Sequence, residues 1–301
     1  VVNIGTVNNK GFDFRISSTN IRNKNFTWKT DLTASRNINE ILKLNTDGAS
    51  LPGYLGGSIA AKSVEGRSIG EFYGYVVEGV FATADDFKTH AIPAKNGEKL
   101  PIGAAGGSIW YGDLMFKDLN GDGIIVESDQ TFLGSPIPKW QLGFNNSFSY
   151  KNFDLNVFFS ANIGNKVLNG LRINGDNPGT SFGYLRSLTN YAKLGLIDPN
   201  GSNTDIENVY VINPDTRIVG IRNDNTNDNN RISDRYIEDG SFLRCKSISL
   251  GYSFSEKLLS KVHIPSLRVY LNVSNAFIIT KYTGMDPEIG AHNSSIRLMN
   301  V

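Results

Sequence analysis

The chain has 301 residues and a nearly balanced charge, 30 basic against 29 acidic side chains for a net +1, so it carries no excess field to hold nucleic acid or an anionic surface. A single cysteine, Cys245, excludes an internal disulfide framework and a thiolate zinc cluster, and the three histidines, His90, His263 and His292, are too scattered to form a His-based metal or catalytic group. No run reaches the ~18 apolar residues of a membrane helix, so a membrane role would require a barrel or an attached partner.

The first residues, Val1-Val-Asn-Ile-Gly-Thr6, already read as strand, with no basic region followed by an apolar one. The chain is therefore expected to start mid-protein or after processing. Along Phe12, Phe14 and Ile16 large apolar side chains alternate with Asp13, Arg15 and Ser17. The same split puts Phe26, Trp28, Thr30, Leu32 and Ala34 on one face and Thr27, Lys29, Asp31 and Thr33 on the other. It returns at Trp140, Leu142, Phe144 and Phe148 against Gln141, Asn145, Ser147 and Ser149, and again through Phe153, Leu155, Val157 and Phe159. Two later copies are Ile248, Leu250, Tyr252 and Phe254 against Ser247, Ser249 and Ser253, then Leu267, Val269, Leu271 and Val273 against Arg268, Tyr270, Asn272 and Ser274.

Between the second and third of these segments lies Asp118-Leu-Asn-Gly-Asp-Gly123, a cation-loop signature. Asp118, Asn120 and Asp122 would supply side-chain oxygens, Ile124 a backbone carbonyl and Asp129 the carboxylate of the twelfth position, with Gly123 making the sharp turn. Asp129 stands where glutamate is usual, and its shorter reach lowers the expected affinity. A structural calcium ion suits such an oxygen-only, flexible set better than magnesium; the competing reading is a polar Asx and Gly turn with no ion. The flanks look extended, so this is no helix-loop-helix sensor.

Farther on, Tyr184, Leu185, Leu188, Tyr191, Ala192 and Leu196 fall at helical spacing, which predicts a short helix over Phe182 to Leu196 packed inside a long loop. The run Asn223 to Asn230 reads as a solvated, turn-rich loop.

Alternating strands serve a soluble sandwich and a membrane barrel alike. Connection lengths separate the two. Tight links at Asn20 to Asn25 and Tyr150 to Phe153, with a modest one at Glu256 to Ser266, alternate with long stretches over Asn45 to Ala61, Ala82 to Lys139, Gly164 to Arg235 and Lys281 to Ser295. Short turns at one end and long loops at the other, with Trp28, Trp140, Tyr150, Phe153, Tyr252 and Phe254 near strand ends, form the pattern of an outer-membrane barrel with aromatic girdles. The predicted fold is all-β, a large antiparallel transmembrane barrel.

Five stretches carry a closer resemblance. Gly112-Asp-Leu-Met-Phe-Lys-Asp-Leu-Asn-Gly-Asp-Gly123 is followed by Leu133-Gly-Ser-Pro-Ile-Pro-Lys-Trp140 and by Gly143-Phe-Asn-Asn-Ser-Phe-Ser-Tyr-Lys-Asn-Phe-Asp154. Tyr236-Ile-Glu-Asp-Gly-Ser-Phe-Leu-Arg-Cys-Lys-Ser-Ile-Ser-Leu-Gly-Tyr252 comes next, then Asn272-Val-Ser-Asn-Ala-Phe277 leading to Tyr282-Thr-Gly-Met-Asp-Pro-Glu288. In this order they resemble the C-terminal part of the barrel in the SusC/RagA family of TonB-dependent outer-membrane transporters. Cys245 and Met285 stand where an aliphatic and an aromatic residue are common.

The resemblance implies a barrel of about 22 strands, of which residues 1–301 would supply eight or nine, without the N-terminal plug, the TonB-contacting segment or a final strand ending in an aromatic. It implies short periplasmic turns, long extracellular loops, an outer-membrane location in a Gram-negative bacterium and contact with outer-membrane lipid. Implied partners are a SusD-like surface lipoprotein acting as a lid, the TonB complex reached through the missing N-terminal part, and an imported oligosaccharide or peptide. On this reading Asp13, Arg15, Lys29, Asp31, Asn145, Asp154, Asn156, Arg268 and Asn272 face the lumen.

Two other functions compete. A soluble, calcium-stabilised carbohydrate-binding β-domain would stack sugars on Trp110 or Tyr111. A glycoside hydrolase would need carboxylates facing across a cleft, and adjacent pairs such as Asp85 with Asp86 or Glu238 with Asp239 give no such sign. The resemblance makes the chain a transporter segment and not an enzyme.

Overall fold

Period-two alternation is satisfied by six long strands, which a computed structural model of the chain places side by side; it describes residues 5–46, 48–178, 183–222 and 225–289. They are β1 (Gly5–Arg22), β2 (Phe26–Leu44), β3 (Trp140–Tyr150), β4 (Phe153–Ile163), β5 (Phe242–Ser253) and β6 (Arg268–Thr280). Each pairs antiparallel with the next, so the sheet is a simple meander in chain order. The resemblance led us to expect eight or nine wall strands; six are found among the described residues, because the other short strands pair within the long connections.

Tight turns close one end. Asn23 accepts the N–H groups of Asn25 and Phe26 on its side-chain oxygen at 3.1 and 2.8 Å, an Asx turn that starts β2. Between β3 and β4 only two residues remain, and Lys151 takes a left-handed φ of 53°, as two-residue hairpins require. Every long connection leaves from the opposite end.

Register puts the greasy residues in one continuous surface. Tyr150 opposes Phe26 and Phe153, Phe148 opposes Trp28 and Leu155, and Phe144 opposes Leu32 and Phe159. The row continues through Leu250, Ile248 and Cys245 of β5 onto Leu271, Val273 and Phe277 of β6. Rings cluster near its lower edge, with Phe153 and Tyr252 at 4.6 Å between centroids and Tyr252 and Phe254 at 4.9 Å, while Phe12 meets Trp140 edge-on at 5.6 Å near the top. Ten steps from Trp140 to Tyr150 at ~3.4 Å each, tilted by ~45°, span about 24 Å, close to the ~25 Å apolar band of an outer-membrane barrel.

Polar side chains interrupt this apolar row on one rung, Ser18, Thr30 and Asn146. Asn146 is buried there and accepts Trp28 Nε1–H at 3.0 Å and the Thr30 hydroxyl at 3.1 Å on its side-chain oxygen. A bulge at Lys246 also shifts the β4–β5 ladder between Phe159–Cys245 and Phe158–Ser247. Its mate on β6 falls between Ser274 and Phe277 and contains Asn275 at φ 51°. The extra residue keeps Cys245 and Leu243 on the greasy face despite the break in alternation.

The long connections are ordered. Residues 75–125 and 192–219 enclose one core, with Phe81, Tyr111, Leu114, Ile109 and Phe116 almost fully covered. A second core joins Leu55, Ala60 and Phe72 to Leu168, Ile232, Tyr236 and Ile237. Two connections far apart in sequence thus fold together into a cap at one end of the sheet. The cap leans on the upper half of β2, where Ile41 and Leu44 are buried, Ile41 N–H donates to Arg67 O at 2.9 Å and Leu44 N–H donates to Glu65 at 2.7 Å.

The predicted helix over Phe182 to Leu196 is corrected. Phe182 lies outside the described residues; the chain beyond it makes a single 3-10 stretch, Arg186–Asn190, and then a short strand, Leu194–Leu196. Tyr184 and Leu185 stay exposed, Ala192 enters the core and Leu196 packs against it, so the apolar spacing reflects a chain that meets the cap only toward its end.

Asn146→Ala would leave the Trp28 and Thr30 donors unpaired away from water, a cost of about 1–3 kcal/mol. Urea unfolding of the complete barrel in detergent should show that loss, whereas Asn145→Ala on the opposite face should be near neutral.

Candidate functional site

The polar face of the sheet collects the side chains that sequence patterning assigned to it. Asp13, Arg15, Lys29, Asp31, Asn145, Asp154, Asn156, Arg268 and Asn272 all share the side opposite the greasy row, as the pairings Ser17↔Asp31↔Asn145 and Asn156↔Ser249↔Asn272 require. They are tied to one another. Arg15 donates to Asp31 at 3.3 Å, Ser17 also donates to Asp31, and Asn156 donates to Ser147 at 2.9 Å. Asp154 and Arg268 pair at 2.6 Å across β5, directly over Gly251, where a Cβ would sit 2.6 Å from both partners. A shallow hollow of about 530 Å³ between Arg15, Asp31, Gly143 and Phe158 shows an aromatic on the wet side that alternation did not identify, because its neighbour Phe159 carries the greasy row.

The cation-type loop closes on its own amides. Asp118 accepts the N–H groups of Gly121 at 2.6 Å, Gly123 at 2.7 Å and Asn120 at 3.2 Å. These bonds, Gly123 foremost, hold its carboxyl below the usual aspartate range. Asn120 donates to Asp122 at 2.9 Å, and Asp122 accepts Ile124 N–H at 2.9 Å. Asp129 is fully buried and accepts Leu119 N–H at 3.0 Å and Val126 N–H at 2.9 Å, which clasps the two ends of the loop together. The donors of Asp118, Asn120 and Asp122 are oxygens suited to a hard cation. Among the described residues no three His, Cys, Asp or Glu side chains converge as a metal-ligand group.

Asp86, Asp239 and Glu238 hold backbone. Asp86 accepts the N–H groups of Ala82 and Thr83, both at 2.8 Å. Asp239 binds Ser241. Glu238 takes Thr283 N–H at 2.7 Å, the Thr283 hydroxyl, Asn169 at 2.9 Å and Arg172 at 3.2 Å. Burial pushes the Glu238 carboxyl up, but the donors from Thr283, Asn169 and Arg172 outweigh it and hold the group below its usual value. Arg172 also reaches the buried Asp176 at 2.7 Å, and Arg235 lies 3.6 Å from the same carboxylate. This cluster fastens the second long connection to the segment after β6, where Arg244 pairs with Asp286 at 2.6 Å.

Two expectations change here. Trp110 and Tyr111 sit inside the first core, and burial raises the Tyr111 phenol to about 12, so neither can offer a ring to a sugar. In the Asn223 to Asn230 run, residues 223 and 224 lie outside the described residues, yet Asn227 and Asn229 are buried. Asn227 donates to Leu114 O at 3.0 Å, and Asn229 donates to Asp113 at 2.8 Å and accepts Leu114 N–H at 2.8 Å. A run rich in asparagine suggested water; its alternate members are stitches in the cap.

No family model matches the chain. It is 33% identical over 307 residues to TonB-dependent receptor P3 of Formosa agariphila, an alignment that takes in 100% of this chain and 27% of that protein. It is 29% identical over 290 residues to TonB-dependent receptor SusC of Bacteroides thetaiotaomicron, covering 95% of this chain and 24% of SusC. Its fold resembles the structure of the RagAB peptide transporter with a TM-score of 0.65 at 21% identity, over 96% of this chain and 27% of that one. The chain thus spans about a quarter of the length of the relatives it matches.

Because the Glu238 carboxyl is held below its usual value, its contribution is fully present above that value and is lost as pH falls through the folded one. Limited proteolysis around Tyr282 to Asp286 should accelerate as pH falls through and below the ordinary glutamate range. Glu238→Gln should raise cleavage at neutral pH and flatten the dependence.

Proposed function

The chain belongs to the SusC/RagA family of TonB-dependent outer-membrane receptors, and on that premise we propose that it forms wall and extracellular cap of an active importer for oligosaccharides or peptides. The observation that carries this is the greasy face. Phe12, Phe14, Ile16, Phe144, Leu250, Leu271 and Ile279 stand exposed in one sheet surface, a patch far beyond what a soluble protein leaves uncovered. Hydrocarbon covers it without charge or hydrogen bonds, and the paired backbone leaves few polar groups facing lipid.

The opposite face, with its Arg15–Asp31 and Asp154–Arg268 pairs, lines the water-filled interior. The cap sits at the extracellular mouth, where a SusD-like lipoprotein would close over it. Force for import would come from TonB through a plug contributed by the rest of the protein. No catalytic role is proposed: Asp85 and Asp86 lie at the start of a four-residue helix, Asp86–Thr89, and the side chains of Asp86, Glu238 and Asp239 are bound to backbone.

For the loop at Asp118 we propose a structural calcium ion held by Asp118, Asn120, Asp122 and the Ile124 carbonyl, with Asp129 joining only as far as its clasp on Leu119 and Val126 permits. A ligand that binds the folded state alone stabilises it by about 2.7 kcal/mol at a hundredfold excess over Kd. EDTA should therefore lower the melting temperature and speed cleavage near Asp118, with calcium restoring both. Unchanged melting would remove the ion and leave the self-closed turn.

The transport reading is tested on the full-length receptor extracted in detergent. A mobility shift between unboiled and boiled samples is expected, together with nutrient uptake that disappears in cells lacking TonB. A species soluble without detergent and without a shift would overturn it.

A further inference from the structure

Three connections close the lower end of the wall, and hydrogen bonds tie them into one rim. Lys151 N–H donates to Asn25 O at 2.8 Å, Ser253 N–H to Asn152 O at 2.9 Å and Phe254 N–H to Leu267 O at 3.0 Å. Their charge is one-sided. Lys24, Lys151, Lys257 and Lys261 stand exposed in these turns against one acid, Glu256, in a chain whose 30 basic and 29 acidic side chains nearly balance. Among the described residues no ion pair joins any of the four lysines to a carboxylate, whereas Arg15 and Arg268 on the wet face of the wall are both paired.

Position decides what these charges meet. Tyr150 ends β3 on the greasy face, 51% exposed, and the Lys151 ammonium lies 5.4 Å from its ring centre, so this charge is carried on the outer side of the wall and not toward the lumen. Around it Phe153, Tyr252 and Phe254 form the aromatic cluster at the edge of the apolar surface, the depth at which such rings meet lipid headgroups. The third connection repeats the pairing of charge and grease. Leu259 is buried, while Leu258, Ile264 and Leu267 stay exposed beside Lys257 and Lys261, a composition that settles between acyl chains on one side and phosphates on the other. A soluble acidic protein would reach Lys151 only by displacing lipid from Tyr150 and Phe153; an anionic headgroup belongs to the bilayer at that depth.

We propose that the periplasmic rim is a docking surface for anionic glycerophospholipid of the leaflet it faces, with Lys24, Lys151, Lys257 and Lys261 contacting the headgroup phosphates and Tyr150 holding Lys151 at their depth. The proposal rests on the outer-membrane placement of the barrel and is independent of what is imported. Lysine suits this task, because a compact charge on a flexible stem follows a fluid headgroup more readily than a planar guanidinium fork does. Arg22, the remaining arginine or lysine close to the rim, opposes Thr27 on the wet face and takes no part.

The test uses the full-length receptor in nanodiscs of phosphatidylcholine and phosphatidylglycerol in equal amounts, then exchange into mild detergent and mass spectrometry of the lipid that stays bound. Phosphatidylglycerol should be retained at least about fivefold over phosphatidylcholine, and about 0.5 M salt during exchange should cut that preference severalfold. Lys24→Gln, Lys151→Asn, Lys257→Gln and Lys261→Gln together should return retention to the starting ratio; asparagine tolerates the left-handed φ of 53° at position 151. The control removes charge from the far end of the first hairpin, Lys10→Gln with Lys43→Gln, and should leave the preference unchanged. An unchanged heat-dependent gel shift checks that each variant folds. Equal retention of the two lipids by the native receptor, a preference indifferent to salt, a preference kept by the quadruple variant, or its loss in the control overturns the proposal. A receptor that does not enter the nanodisc overturns the membrane reading as well, whereas one that enters without lipid preference loses only the rim.

Discussion

Backbone amides have no water to bond to inside hydrocarbon, and every other feature of this chain depends on how they are paired. Six antiparallel strands exchange their N–H and C=O groups along their ladders, which lets one face be predominantly apolar. Pairing fixes register, and a slip of one residue would turn Phe144, Phe148 and Leu155 into the lumen and Asn145 and Asp154 into lipid. The two-residue turn at Lys151 and the Asx turn at Asn23 allow no slack at the periplasmic end. Apart from the connection between Ser253 and Arg268, variation in length falls on the other side.

That side solves a different problem. Long connections in water must bury enough apolar surface to offset the entropy of ordering them, and neither connection does so alone. Phe81, Tyr111 and Leu114 from one close with Val209, Val211 and Val219 from the other, and Leu55 and Phe72 close with Leu168 and Ile237. Buried polar contacts then set the details. Asp113 with Asn229, and Asp176 with Arg172 and Arg235, join segments remote in sequence, and removing one partner of such a buried pair leaves the other uncompensated.

Much of the wall was legible in the sequence, and the reason is physical. Alternation has a short period and local cause, so the turns at Asn23 and Lys151 and the facing of residues such as Asp31, Asn156 and Arg268 follow from the residues alone. Legibility ends at Lys246, where an added residue inverts the parity of β5 and hides Leu243 and Cys245 from any period-two rule. The cap was far less legible. Its cores join positions more than a hundred residues apart, which no local pattern records, so Trp110 and Tyr111 read as exposed rings, Asn227 and Asn229 as solvated, and the stretch before Leu196 as helix. The Asp118 motif was visible as a motif; that Asp129 would turn inward to Leu119 and Val126 depended on burial that only the folded cap supplies.

The overhang of the first hairpin has a mechanical meaning. Strand β2 continues from Arg36 to Leu44 beyond its last pairing with β3 at Ser35, a projection of roughly 30 Å along the strand. The cap is bonded to that projection at Asn39, Ile41 and Leu44, so the hairpin works as a mast stepped in the membrane. Whatever orientation the wall takes is carried to the cap undiminished: about 10° at the foot of a ~30 Å mast moves its head through about 5 Å.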